Sequence, residues 1–124
     1  MSPRASATAH ELARVTLLAG LPGETLARLA KQMTREEVAP GAAVITEGEP
    51  GDRFYVVLSG MMVVSQTAMG ARRVLRPGDY FGEVALTMDI PRTASIRALT
   101  PSVVASCDRE TFDEFVRPLF AADT

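Results

Sequence analysis

Residues 81–95 read Phe-Gly-Glu-Val-Ala-Leu-Thr-Met-Asp-Ile-Pro-Arg-Thr-Ala-Ser, and the rest of the chain is interpreted as their scaffold. Gly82 has no Cβ and lets a ligand approach the backbone, and residues 83–86 are mostly good helix formers that predict a single helical turn. The free N–H groups at the start of such a turn favour an anion, and the planar guanidinium of Arg92 presents donors suited to phosphate. This stretch therefore predicts an anion site.

Glu83 restricts the kind of anion that this site would take. A carboxylate repels a neighbouring anion unless it accepts a hydrogen bond from another group of the same ligand. A ligand with a hydroxyl close to its phosphate satisfies both Glu83 and Arg92, and a nucleotide with a ribose hydroxyl near its phosphate is the simplest example. The alternative interpretations are that Glu83 only stabilises a helix N-terminus and that Arg92 is an ordinary surface arginine.

Length and composition exclude several classes of function. The chain has 124 residues, which suffices for one domain, and its 47% hydrophobic and 23% charged residues are those of an ordinary globular protein. The formal net charge of −2 provides no basic surface for nucleic acid. We expect a cytoplasmic protein without membrane insertion, because the sequence has neither a bilayer-length apolar run nor the features of a signal peptide.

Neither the single cysteine nor the single histidine indicates a catalytic or metal-binding site. Cys107 ends an apolar run and is interpreted as a small buried residue of a strand rather than a reactive thiol. His10 has no clustered metal-ligating partners. We therefore expect no catalytic residues, no metal, no cofactor and no enzymatic activity, since no nucleophile–base pair is visible either.

The N-terminal third predicts two helices. Residues 1–8 are small and polar and are expected to be a disordered tail. A first helix over 9–18 is predicted by the spacing of the apolar residues Leu12, Val15 and Leu18. Pro22 marks the first turn of a second helix, whose apolar stripe consists of Leu26, Leu29, Ala30 and Met33. We expect this stripe to pack against the core.

From Thr34 onwards the sequence becomes typical of an antiparallel β protein, with β-branched residues and regularly recurring glycines. The predicted strands are 36–39, 43–47, 53–59, 61–66, 72–76, 93–99 and 103–107. Glycines at the punctuation points are interpreted as turn residues without a chemical role; they include Gly41, Gly51, Gly60 and Gly78. No long helix separates successive strands, which favours a rolled or closed sheet.

The last predicted element is a terminal helix. Asp108 can cap it, its inward side chains are Phe112, Phe115 and Val116, and Pro118 is expected to end it. The predicted fold class is α+β, mainly β. It is an antiparallel, jelly-roll-like β-roll flanked by short N-terminal helices and one C-terminal helix, with a short helix inside residues 81–95. The predicted domain spans residues 9–118, and residues 119–124 form a tail.

Three pieces of sequence support a family resemblance through their order and spacing. They are the Gly-punctuated residues 41–51 followed by the apolar strand 54–60, the turn Pro-Gly-Asp-Tyr-Phe-Gly-Glu at 77–83, and Pro-Arg-Thr-Ala at 91–94. With these pieces the chain resembles the cyclic-nucleotide-binding domain family over roughly residues 12–118. The resemblance implies that residues 81–95 form a phosphate-binding cassette, called the cassette below.

The resemblance also implies roles for individual residues. The residue matching Glu83 accepts a hydrogen bond from the ribose 2′-hydroxyl, and the one matching Arg92 pairs with the cyclic phosphate. Thr93 stands where a hydroxyl reaches the phosphate or a guanine amino group, and Val74 and Leu75 match positions that contact the base. Backbone N–H groups at Gly82, Ala85 or Leu86, and Ala94 complete the phosphate site. The predicted ligand-binding set is Phe81, Gly82, Glu83, Val84, Ala85, Leu86, Arg92, Thr93, Ala94, Val74 and Leu75.

The function implied is that of a regulatory sensor module. It would bind a cyclic purine nucleotide, cAMP in preference to cGMP, and regulate an attached effector domain or a partner protein, although Thr93 by itself does not decide the base. In the family a helix after the β-roll closes over the purine as a lid, and the residues after Pro118 are too few for such a lid.

Two alternatives remain open from the sequence. One is a protein interaction module with a vestigial pocket, against which stands the presence of both Glu83 and Arg92. The other is the sensor half of a transcription regulator that lacks its DNA-binding domain. This chain alone is not expected to bind nucleic acid, and formation of a homodimer stays open.

Overall fold

The computed structural model describes residues 6–121, except for the side chains of Arg72 and Ala121. The helices are α1 Ala9–Ala13, α2 Gly23–Gln32, α3 Glu83–Met88, α4 Arg109–Thr111 and α5 Arg117–Ala121, with a π-helical segment Phe112–Val116 between the last two. The strands are β1 Thr34–Val38, β2 Ala43–Ile45, β3 Arg53–Ser59, β4 Met62–Gln66, β5 Gly70–Leu75, β6 Tyr80–Phe81, β7 Ser95–Ala98 and β8 Ser102–Asp108.

The strands form two four-stranded sheets with the orders β1-β8-β3-β6 and β2-β7-β4-β5. Every strand pair in them is antiparallel. A shared apolar cluster joins the two sheets; it includes Val57, Met62, Leu75, Phe81, Ile96 and Val104. The predicted α+β, mainly β class and its jelly-roll-like β-roll are confirmed.

Strand β3 lies at the centre of the molecule, because both of its faces are covered. Phe54 and Val56 pack in the cluster that also contains the helices, whereas Tyr55 and Val57 pack in the cluster between the sheets. This division follows from the alternation of side chains along a strand. The strand therefore connects the helical layer to the sheet that carries the pocket described below.

The predicted helix over 9–18 is shorter than expected. A reciprocal capping box between Thr8 and Glu11 starts α1, but α1 ends at Ala13. The next residues form tight turns instead, in which Val15 N–H donates to the Leu12 carbonyl and Leu18 N–H to the Val15 carbonyl. A spacing of three matches the period of a 3₁₀ turn, so Val15 and Leu18 are buried although the α-helix has ended.

The predicted disordered tail of residues 1–8 needs a correction at its end. Residues 1–5 lie outside the described residues. Ser6 forms an antiparallel bridge with Thr34, and the Ala7 N–H donates to the Met33 carbonyl at 3.2 Å. Ala7 is buried. These contacts attach Ser6 and Ala7 to the start of β1, and no apolar pattern in residues 1–8 predicts them.

Most predicted strands are observed with boundaries shifted by one or two residues. The prediction missed β6 Tyr80–Phe81, which pairs with Tyr55 and Val56 of β3. A strand of two residues carries no alternation by which it could be recognised. It matters for the site, because β6 leads directly into the cassette.

The terminal helix begins as predicted but does not end at Pro118. The Asp108 side chain accepts a hydrogen bond from the Thr111 N–H at 2.9 Å and caps α4. In the π-helical segment that follows, the Arg117 N–H reaches the Phe112 carbonyl. Pro118 then falls in the first turn of α5, where a missing N–H is tolerated, and the helix continues to Ala121. Residues 119–121 are therefore helical rather than part of a tail.

Candidate functional site

The cassette turns sharply between β6 and α3. Gly82 adopts φ 94°, a left-handed conformation that strains any residue with a Cβ, and it is the N-cap residue of α3. The predicted single helical turn is observed as the six residues of α3, after which Asp89 is again left-handed at φ 54°. The chain then returns to Arg92, so that both ends of the cassette meet.

Arg92 is not a surface arginine, because only 6% of it is exposed. Its Nη1 donates to the Gly82 carbonyl and its Nη2 to the Arg53 carbonyl, both at 3.0 Å. Its backbone is fixed as well, since Arg92 N–H donates to the Glu49 carbonyl and Gly48 N–H donates to the Arg92 carbonyl, both at 2.8 Å. The guanidinium is therefore held in one orientation while it retains further N–H donors.

The charge of Arg92 favours an anionic ligand. Burial lowers the pKa of this guanidinium, and the neighbouring Tyr55, Asp52 and Glu83 raise it again in part. An arginine stays protonated in spite of such a shift. A buried cation whose hydrogen-bond partners are neutral carbonyls is costly to desolvate, and an anion beside it offsets that cost.

Glu83 lies at the first position of α3, on the other side of the cassette turn. Burial raises the pKa of its carboxyl, whereas its own backbone N–H, Arg73 and Arg92 lower it in part. The carboxyl is thus a half-buried acceptor that is favoured in its ionised form by two cations. Its position allows it to accept a hydrogen bond from a ligand hydroxyl.

Both residues line one open cavity of about 100 Å³. Two groups of residues surround it. The cassette wall consists of Phe81, Gly82, Glu83, Val84, Ala85, Arg92, Thr93 and Ala94. The sheet wall consists of Ile45, Val64, Arg73 and Ile96. The lining combines apolar side chains with a small number of charged groups, as is typical of small-molecule sites.

The cavity lining includes every predicted site residue except Leu86, Val74 and Leu75. Leu86 is buried in the core beneath the helices, and its carbonyl accepts a hydrogen bond from Arg117 at 2.9 Å. Leu75 is fully buried in the cluster between the sheets, and Val74 is 38% exposed. Strand alternation explains both positions, because it directs Arg73 and Leu75 to one face of β5 and Val74 to the other.

The sheet wall was not predicted. Arg73 lies opposite Val64 in the register of β4 and β5. Its sequence signal was weak, since an arginine in a short strand is ordinarily a solvated residue. Arg73 lies next to the cassette because of the strand register, which is not visible in the sequence.

A chain of hydrogen bonds supports the end of the cassette. Gln66 Nε2 donates to the Thr93 carbonyl at 3.0 Å. The next residue of the hairpin, Thr67, donates its N–H to Glu47 Oε1 at 2.8 Å, and Glu47 N–H donates to Ser95 Oγ at 2.9 Å. The hairpin between β4 and β5 is therefore attached to the residues that follow Arg92.

Other kinds of site find less support in the described part of the chain. Residues 6–121 contain no group of three or more His, Cys, Asp or Glu that could hold a metal ion. Burial raises the pKa of the Cys107 thiol to about 12, which makes it a poor nucleophile. Among the described residues no helix combines the length and the apolar character needed to cross a bilayer.

Comparison with protein families gives one match over most of the chain. Residues 35–118 match the family model described as "Cyclic nucleotide-binding domain". This range contains the cassette and both walls of the cavity.

Comparison with individual proteins gives relatives that bear cAMP and cGMP in their names. The chain is 42% identical over 109 residues to the cAMP-dependent protein kinase regulatory subunit of Yarrowia lipolytica, covering 87% of this chain and 29% of that protein. It is 36% identical over 114 residues to the cGMP-dependent protein kinase egl-4 of Caenorhabditis briggsae, covering 87% of this chain and 15% of that one. The chain thus spans less than a third of either relative.

A solved structure shows the same architecture with a ligand. The structure of cAMP-bound PfPKA-R, residues 141–441, superposes with a TM-score of 0.87 at 29% identity, and the match covers 92% of this chain and 40% of that one. The similarity therefore extends from the cassette sequence to the complete β-roll and its helices.

Proposed function

The chain belongs to the cyclic nucleotide-binding domain family, and on that premise we propose that its cavity binds a cyclic purine nucleotide and acts as the sensor of a regulatory protein. The domain of this family binds a ligand and is not a catalytic domain. The observation that carries the proposal is that Glu83 and Arg92, from opposite ends of the cassette, line one cavity.

Arg92 supports recognition of the phosphate. A cyclic phosphodiester carries a single negative charge at physiological pH, and the guanidinium is permanently positive and fixed by two carbonyls. Hydrogen bonds to charged groups contribute roughly 1.5–3 kcal/mol each. The residues at the start of α3 line the same cavity, and the free backbone N–H groups of a first helical turn would add donors without charge.

Glu83 supports recognition of the ribose. A hydroxyl that donates to this carboxylate while the phosphate accepts from Arg92 must lie close to the phosphate, which is the arrangement of the 2′-hydroxyl in a 3′,5′-cyclic nucleotide. A phosphate without such a hydroxyl would instead meet the repulsion of the carboxylate. The pair therefore favours a cyclic nucleotide over free phosphate.

The relatives favour cAMP as the ligand, and one observation favours a second candidate, cGMP. Arg73 belongs to the sheet wall of the cavity, and Thr93 belongs to the cassette wall. An arginine only donates, and guanine presents two acceptors, O6 and N7, where adenine presents a donor next to N7. cGMP is therefore the ligand that Arg73 would select if it reaches the base.

The sensor role is proposed from the family and from the contacts of α3. The end of α3 is attached to the C-terminal helix, because Arg117 Nη2 donates to the Leu86 carbonyl at 2.9 Å. A ligand that draws the cassette together would act on this contact and thereby on whatever follows or contacts the helix. The output is an attached effector domain or a partner protein in the cytoplasm.

Calorimetric titration of the purified chain with cAMP, cGMP and 5′-AMP tests the proposal. We expect saturable binding of at least one cyclic nucleotide with one site per chain. 5′-AMP should bind at least about tenfold more weakly, because its phosphate is not tied back beside the ribose hydroxyl. Failure of both cyclic nucleotides to bind would favour the alternative, an interaction module with a vestigial pocket.

A further inference from the structure

Gly51 lies in the loop between β2 and β3, and the space around it is filled by the cassette. A Cβ at this position would lie 2.5 Å from Arg92 Nε, 2.6 Å from Arg92 Cζ and 2.8 Å from Ala85 Cβ. Real Cβ atoms essentially never approach other atoms this closely. Gly51 therefore touches both ends of the cassette, the buried arginine and the first turn of α3.

The loop around Gly51 also holds the backbone of Arg92. Gly48 and Glu49 exchange backbone hydrogen bonds of 2.8 Å with Arg92. The guanidinium itself donates to the carbonyls of Gly82 and Arg53. The loop thus holds the backbone of Arg92. The Arg92 guanidinium occupies the space that a side chain at position 51 would fill.

We propose that Gly51 is a positioning residue for anion recognition, because it admits the Arg92 guanidinium to the orientation in which the guanidinium meets the ligand phosphate. This inference rests on the proposed function for the identity of the ligand. It corrects the interpretation of Gly51 as a turn residue without a chemical role. No positive φ is needed at Gly51, in contrast to Gly41 or Gly48, so backbone conformation does not account for the glycine.

The substitution Gly51→Ala separates the two interpretations by the sign of its effect. In a turn that any residue can adopt, alanine in place of glycine is neutral or stabilising, because it restricts the unfolded chain. A Cβ that displaces Arg92 and Ala85 instead lowers stability and affinity together. Gly20→Ala is the matched control, since Gly20 also lacks a positive φ and nothing lies within 4 Å of its added Cβ.

A double-mutant cycle with Arg92→Ala tests whether Gly51 acts through the arginine. Thermal unfolding without ligand and titration with cAMP and cGMP are measured for the parent, Gly51→Ala, Arg92→Ala and the double variant. We expect Gly51→Ala to lower the unfolding midpoint by several degrees and the affinity at least about tenfold. In the Arg92→Ala background both losses should be smaller, because the guanidinium that the Cβ displaces is absent and only the close contact with Ala85 Cβ remains.

Three outcomes overturn the inference: parent-like binding by Gly51→Ala, equal losses in both backgrounds, or an equal loss in Gly20→Ala. The unfolding measurements need no ligand. If the parent binds neither nucleotide, the proposed function fails, but the thermal cycle still decides the matter. If the effects of the two substitutions on thermal unfolding are coupled, Gly51 acts through Arg92. If the two effects are additive, the inference is overturned.

Discussion

The two walls of the cavity differ in how the chain builds them. The cassette wall comes from a single contiguous stretch in which Gly82 begins a helix and Arg92 returns to it. The sheet wall is assembled from four separate strands, each of which contributes one side chain; they are Ile45, Val64, Arg73 and Ile96. From this difference we infer separate roles for the two walls. The cassette wall would bind the phosphate and the ribose, and the sheet wall would contact the base.

The largest effect is expected on the cassette wall, from Arg92→Ala. Truncating one partner of a buried charged pair costs about 2–5 kcal/mol, so cyclic nucleotide affinity should fall at least about tenfold in a calorimetric titration. The fold should also lose stability, because the carbonyls of Gly82 and Arg53 lose their donors. Each such loss costs about 1–3 kcal/mol in the free energy of unfolding.

Arg97→Ala is the control for this substitution. Arg97 is an exposed arginine of β7 that donates to the Gly41 carbonyl and does not line the cavity. Equal affinities of the Arg92→Ala variant and the Arg97→Ala variant would remove Arg92 from the site.

The next largest effect is expected on nucleotide affinity at acid pH. Burial raises the pKa of Glu83, so its carboxylate is neutralised at a higher pH than an ordinary glutamate. Nucleotide affinity should therefore weaken as the pH falls through this raised pKa. Ligand-free stability should move in the opposite direction, because a group whose pKa is raised by folding stabilises the folded state when protonated.

Glu83→Gln isolates this contribution, since glutamine does not titrate. Affinity titrations of the parent and the variant from neutral to acid pH should converge as the pH falls. A parent profile that runs parallel to the Glu83→Gln profile would mean that another group controls the pH dependence.

A smaller effect is expected on the sheet wall. Arg73→Ala should lower the ratio of cGMP to cAMP affinity several-fold, because one arginine contact to guanine discriminates by about 1–3 kcal/mol. The absolute affinity should change less than in Arg92→Ala. Arg76→Ala is the control, since the Arg76 side chain contacts Met61 Sδ and does not line the cavity. An unchanged ratio in Arg73→Ala would place the base elsewhere.

The smallest effect is expected from the contact that joins the β4–β5 hairpin to the cassette. Gln66→Ala removes a neutral hydrogen bond to the Thr93 carbonyl, which contributes about 0.5–1.5 kcal/mol. Affinity for both cyclic nucleotides should fall only a few-fold in parallel titrations. A loss as large as that of Arg92→Ala would show that the hairpin, and not the guanidinium, limits binding.

The two walls also explain how far the sequence could predict the site. Gly82, Glu83 and Arg92 were predicted because they lie on one local motif whose conformation follows from residue type. Val74 and Leu75 were predicted to contact the base only through the family resemblance, whereas in the structure it is Arg73 of β5 that lines the cavity. Gly51 was read as a turn residue, since the side chain that fills its empty space lies far away in sequence.

The same distinction holds for the fold. The glycine-punctuated strands and the helix cap at Asp108 are local sequence signals. The strands and the terminal helix that these signals predict are observed in the structure. The continuation of the helix beyond Pro118 depends on a π-helical segment that residue preferences do not reveal. Packing and register decide those features, and local residue patterns do not reveal them.

We propose that the cassette binds a phosphate and a neighbouring hydroxyl of the same ligand together. Titration of the parent and of Glu83→Ala with cAMP and 2′-deoxy-cAMP tests it most directly. We predict that the parent binds the 2′-deoxy ligand at least about tenfold more weakly than cAMP, since a hydrogen bond to a charged group is lost, and that Glu83→Ala binds the two ligands equally. A Glu83→Ala variant that discriminates between them as strongly as the parent would show that Glu83 does not bind the ribose hydroxyl.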